Sequence, residues 1–107
     1  ALVAALKIMT LKHSFSSQYE IKASHYFSDE EMRFMALIMP ELEGKTSKLK
    51  NPYPPETVSW FAWGISRLAS WSGYKSQGLP GYITIRRGIN EFESRFRGYQ
   101  SALKLLR

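Results

Sequence analysis

Residues 82–107 read YITIRRGINEFESRFRGYQSALKLLR. Within them Ile85, Ile89, Phe92, Phe96, Tyr99, Leu103 and Leu106 recur at alternating spacings of four and three. A strand shows its faces every second residue, whereas a helix brings positions i, i+3, i+4 and i+7 onto one side. The pattern therefore predicts one long amphipathic helix. Its heptad-like seam is sustained over about three heptads, the lower limit for reading a coiled coil. Glu91 with Arg95, and Glu93 with Arg97, set the acid four residues before the base, which is the favourable order. Two readings of the seam stay open. Phe and Tyr are bulky for a narrow two-stranded coil, which favours a stripe packed on the chain's own helices. Towards Tyr99–Leu106 the helix outruns the partners a small domain can offer, and Leu105 and Leu106 are still apolar, which favours a subunit interface.

Upstream, Pro54 and Pro55 lead into a helix predicted over 56–72. Val58, Phe61, Ala62, Ile65, Leu68 and Ala69 form its stripe, and Trp60, Trp63 and Trp71 widen it, implying burial on more than one side. The tryptophans could stack on bases, but helical spacing among apolar neighbours favours core packing. Residues 43–55, EGKTSKLKNPYPP, are rich in Lys and Pro and read as a flexible loop. Residues 73–82, punctuated by glycine, form a second loop. Ser28 opens a helix with Glu31 three residues on, a capping box, and Pro40 is expected to end it near residue 39. Residues 1–14, with Leu2, Ala5, Leu6 and Met9 at spacings of three and four, read as the first helix. The stretch 15–27 reads as irregular connection or a short turn. The expected fold is all-α, a small bundle of about four helices in one domain over 1–107, with a long C-terminal amphipathic helix.

Composition narrows the function. A length of 107 residues suits one core, and 44% hydrophobic and 14% aromatic residues can fill it. Fifteen Lys and Arg against nine acids leave a net charge of +6, which favours a polyanionic partner. Arg95 and Arg97 are partly neutralised by Glu91 and Glu93. Arg86 and Arg87, beside Lys75, are the better candidates for holding DNA phosphates. There is no cysteine, so disulfides and thiolate metal sites are excluded and a reducing compartment fits. The apolar run 1–11 is broken by Lys7 and too short to span a bilayer, so no membrane association is expected. The chain opens on an uncapped apolar run starting with Ala1, which suggests a piece of something longer.

Chemistry is sparse. Metal-dependent nucleic-acid cleavage needs several carboxylates around its cations, and Asp29 is the one Asp in the chain. His13 suits a helix C-terminus and His25 a loop, and neither has a metal-like partner spacing. No nucleophile elbow, phosphate-binding loop or zinc spacing occurs. The expectation is a non-enzymatic piece with no catalytic residue, metal or cofactor of its own.

Residues 56–92, ETVSWFAWGISRLASWSGYKSQGLPGYITIRRGINEF, resemble the C-terminal segment of the IS-four family of bacterial insertion-sequence transposases. The likeness rests on an aromatic helix with Trp60, Trp63, Arg67 and Leu68, and on a basic Gly/Pro loop with Lys75, Gly78, Pro80 and Gly81. A Tyr82-led helix with the step Arg86, Arg87, Gly88 completes it. The opening ALKIMTLKHSF is similar to the helix that follows the family's catalytic core. The resemblance implies a parent cut-and-paste enzyme with an RNase H-like core of DDE type using Mg²⁺. The family's Tyr-Arg-Glu-Lys helix is not found here, so that core is expected upstream of Ala1. It further implies a dimerisation domain. Phe92, Phe96, Tyr99, Leu103 and Leu106 would pair two protomers in the synaptic complex, and Lys75, Arg86 and Arg87 would touch transposon-end DNA. The expected location is cytoplasmic, with the nucleoid. A stand-alone basic helical DNA-binding module and a helical adaptor are the alternatives.

Overall fold

A computed structural model describes residues 2–15, 21–44, 49–72 and 78–106. Its elements run α1 (Leu2–Ser14), one 3₁₀ turn (Ala23–His25), α2 (Asp29–Glu43), α3 (Val58–Leu68) and α4 (Tyr82–Leu106). The chain is all-α, as its periodicity predicts. Among the described residues the sole β-type pairing is an isolated antiparallel bridge between Lys22 and Thr57.

The core forms around α3. Its sequence is apolar on nearly every side, and a helix of that kind must be surrounded. Every residue from Trp60 to Ser66 is buried, with Phe61, Ala62 and Ile65 fully enclosed. The buried Ser66 hydroxyl is satisfied by donating to the Ala62 carbonyl at 2.8 Å. The helices α1, α2 and α4 all pack on this element. Two glycines set how closely they come. At Gly64 a methyl group would lie 2.7 Å from Met35 Sδ of α2. At Gly88 it would lie 2.0 Å from the Ile65 carbonyl oxygen, so α4 crosses α3 with its backbone against backbone. The glycine after Arg86 and Arg87 is thus required by packing.

Helix boundaries depart from expectation in two places. The helix predicted over 56–72 is shorter at both ends. Residues 21–23 pair beside 56–58: Ala23 N–H donates to the Glu56 carbonyl and Val58 N–H to the Ile21 carbonyl, both at 2.7 Å. That pairing holds Glu56 at φ 71°, outside the helix. Thr57 becomes the cap, its hydroxyl accepting from Trp60 N–H at 3.2 Å and donating to the Pro54 carbonyl at 2.8 Å. At the far end Ser70 turns left-handed at φ 69°, while Ala69 and Trp71 N–H both return to the Ser66 carbonyl. This is a helix stop made without glycine, which sequence signals do not mark.

The second departure is Pro40, which does not end α2. The helix continues to Glu43. Proline removes the bond to the carbonyl four residues back. Both Pro40 and Ala36 lie on the exposed face of α2, where water can serve that carbonyl. The other end matches expectation: Ser28 Oγ accepts from Glu31 N–H at 3.1 Å, and Ser28 N–H donates to Glu31 Oε1 at 2.9 Å.

Of the loop expected to be flexible over 43–55, residues 45–48 lie outside the described set. Its second half is held by Asn51. That residue's N–H donates to Glu43 Oε2 at 2.8 Å, and its side-chain amide donates to the Trp60 carbonyl at 3.0 Å. Arg67 makes a second clasp. Its Nε donates to the Leu42 carbonyl at 2.9 Å and Nη1 to the Trp71 carbonyl at 2.6 Å, so one guanidinium ties the end of α2 to the end of α3. Trp60 and Trp63 are buried and Trp71 is half-buried edge-on to Trp63 at 6.5 Å, which makes them core, as their spacing favours.

Candidate functional site

Along α4 the seam divides. Ile85, Ile89 and Phe92 are buried. Phe92, expected at a subunit interface, is 2% exposed, with its ring 5.2 Å from Phe61 and 5.6 Å from Phe34. Phe92 is thus part of this chain's own core. Phe96 and Tyr99 are half-buried and lean on the same Phe34 ring, at 5.7 and 4.9 Å. Phe34 of α2 is the ring that receives the seam. Nothing in the α4 pattern could name it, because the pattern fixes a face of one helix and not its neighbour.

Beyond Tyr99 the surroundings change. Leu103 is half-buried beside a hollow it shares with Glu30, Gln100 and Lys104. Gln100 reaches back to α2, its amide donating to Glu30 Oε2 at 3.3 Å. Leu105 and Leu106 are 88% and 84% exposed. Of the expected interface residues, Leu106 is the one fully open to solvent, with Leu103 next to it.

The basic residues divide too. Arg86 and Arg87 stand exposed on the first half of α4. Neither has a carboxylate partner among the described residues, where Arg95 with Glu91, at 2.9 Å, is the one ion pair. The expected Glu93–Arg97 pair is not formed. Lys75 lies outside the described residues.

One exposed surface escaped the sequence reading. Leu6 and Met9, read as the apolar stripe of the first helix, are 56% and 47% exposed, while Leu11 is fully buried and Ile8 is packed on the core. This helix is apolar on most sides, so its spacing alone could not say which side turns inward.

Asp29 is exposed in the first turn of α2. No three His, Asp or Glu side chains among the described residues are grouped to hold a metal. Burial pushes the Tyr53 hydroxyl above its usual range, a consequence of its packing beside Phe15 at 5.7 Å. No helix among the described residues is long and apolar enough to cross a membrane. No family model matches the chain, and no curated protein matches it significantly.

Proposed function

We propose that this chain is an assembly domain of an IS-four-type transposase. In this reading the distal turns of α4 pair two protomers, and Arg86 and Arg87 add contacts to transposon-end DNA. The observation that carries it is the exposure of Leu105 and Leu106, side by side at the end of a helix whose earlier seam is already occupied. Two adjacent open leucines beside a half-buried Leu103 favour covering by a second surface. A two-fold axis offers the simplest cover, because the same patch then serves both protomers. The resemblance over residues 56–92 supplies the transposase half of the reading, and the unpaired Arg86 and Arg87 support its DNA half. Strand cleavage would belong to a catalytic core outside these residues.

Sedimentation equilibrium tests the pairing. The chain should dimerise, and a Leu105→Ser/Leu106→Ser variant should sediment as a monomer with unchanged helix content. A wild-type chain that stays monomeric at high micromolar concentration overturns the pairing. A salt titration tests the DNA half: Arg86→Ala/Arg87→Ala should lower the slope of log K against log salt by about 0.9 for each phosphate that the variant no longer neutralises.

A further inference from the structure

The helix α1 carries apolar surface that the other described residues leave uncovered. Leu6, Met9, Ile21, Tyr82 and Ile83 are all large, apolar or aromatic, and exposed, and all five line two hollows flanking this helix. One hollow, of about 360 Å³, lies between Leu6, Met9 and His13 on one side and Ile21, Val58 and Ser59 on the other. The second, of about 270 Å³, lies between Ile8 and Met9 of α1 and Tyr82, Ile83 and Arg86 of α4. Met9 belongs to both. It is therefore the crest of a ridge with an apolar trough on each side.

The rim is basic. There is no acid anywhere in α1 or α3, and none in α4 before Glu91. Lys12 holds its ammonium 5.3 Å from the Tyr82 ring centroid, at the edge of the second hollow, and Arg86 lines that hollow. Glu56 is the one described acid within two positions of any lining residue.

We infer that this face docks an amphipathic helix whose apolar stripe is flanked by acidic residues. A ridge between two troughs is the shape that a second helix fills, its own side chains dropping to either side of the crest. Lys12 and Arg86 select acidic flanks and disfavour a second copy of the same face, which would set the two cations against their own equivalents. A lipid surface fits less well, because these side chains line concavities and do not project from one plane. This site is separate from the distal end of α4 and does not depend on the pairing there, though it shares Arg86 with the proposed DNA contact.

The probe is a fluorescein-labelled peptide of roughly twenty residues, long enough to hold a helix, with a leucine stripe and glutamate flanks. Fluorescence anisotropy with the intact chain should show saturable binding that weakens as salt is raised. Met9→Asp and Ile83→Asp, both at exposed positions, should each weaken binding about tenfold or more while circular dichroism stays unchanged. A lysine-flanked version of the peptide should bind about tenfold more weakly than the glutamate version. Equal binding of the two peptides overturns the inference, as does binding indifferent to both substitutions. Binding to phosphatidylglycerol vesicles with no binding of the peptide assigns the face to a membrane instead. Loss of self-association in Met9→Asp assigns it to a second copy.

Discussion

The two halves of α4 share one pattern and meet different surroundings. From Tyr82 to Phe92 the helix lies against α3, with Gly88 at the crossing and Ile85, Ile89 and Phe92 enclosed. From Ser101 to Leu106 its apolar side chains Ala102, Leu105 and Leu106 are exposed, and only Leu103 is half-buried. Between them, Phe96 and Tyr99 grade from one state to the other on the single ring of Phe34. The difference teaches that a seam is a property of one helix, while an interface is a property of two. The stripe says which side will be buried, and the neighbour's reach decides how far along. Here α2 reaches past the Glu30–Gln100 contact to the hollow beside Leu103, and Leu105 and Leu106 beyond it are exposed.

The comparison breaks most sharply at Phe92. Truncating it to alanine opens a hole between α2, α3 and α4, and Phe92→Ala should cost about 3–5 kcal/mol, measured by urea denaturation. A loss no larger than that of a surface substitution would mean the proximal seam is not core. Gly88→Ala follows. Its added methyl meets a backbone oxygen, which cannot swing aside as a side chain can, so the helices must part at a cost of about 1–3 kcal/mol. Gly98, also on α4, has open space where a methyl would go. Gly98→Ala should therefore stabilise the helix by up to about 1 kcal/mol, and the opposite signs of these two substitutions test the division of α4 within one element. Ser28→Ala removes the capping box of α2, the helix that carries Phe34, and should cost about 1 kcal/mol.

Much of this fold was legible. The four helices, the capping box at Ser28 and Glu31, the burial of Trp60 and Trp63 and the α4 stripe all follow from spacing and residue chemistry. What stayed hidden has a common physical source. The stop at Ser70, the start at Thr57 and the passage through Pro40 depend on partners distant in sequence or on which face meets water. The sequence did not mark Gly88 as the contact with Ile65. The choice of Phe34 as the receiving ring, and of Leu11 over Leu6 as the inward side of α1, are tertiary decisions that one helix's periodicity leaves open. The sequence placed Arg86, Arg87, Phe92, Leu103 and Leu106 on one helix but did not say which of them solvent reaches. Arg86, Arg87, Leu103 and Leu106 stand where solvent can reach them, whereas Phe92 does not.

The smallest expected change in stability carries the sharpest test of the division, and it needs two variants side by side. Tyr99 sits 4.9 Å from the Phe34 ring, so Tyr99→Asp places a charge beside an aromatic cluster and should destabilise the fold. A loss of self-association in that variant would be ambiguous, because helix content would fall with it. Leu105 and Leu106 have no such neighbour, being 88% and 84% exposed, so Leu105→Asp/Leu106→Asp should change stability by no more than about 0.5 kcal/mol. Two acids on a pairing surface would still oppose a dimer strongly, since like charges would face each other across the axis. The expected result is an unchanged urea midpoint with a dissociation constant raised about tenfold or more. If the dimer survives in this variant with the fold intact, the distal turns are ordinary exposed helix and the pairing surface lies elsewhere. If instead the fold itself weakens by several kcal/mol, Leu105 and Leu106 are buried in solution against something in the same chain, and the two halves of α4 are not different after all.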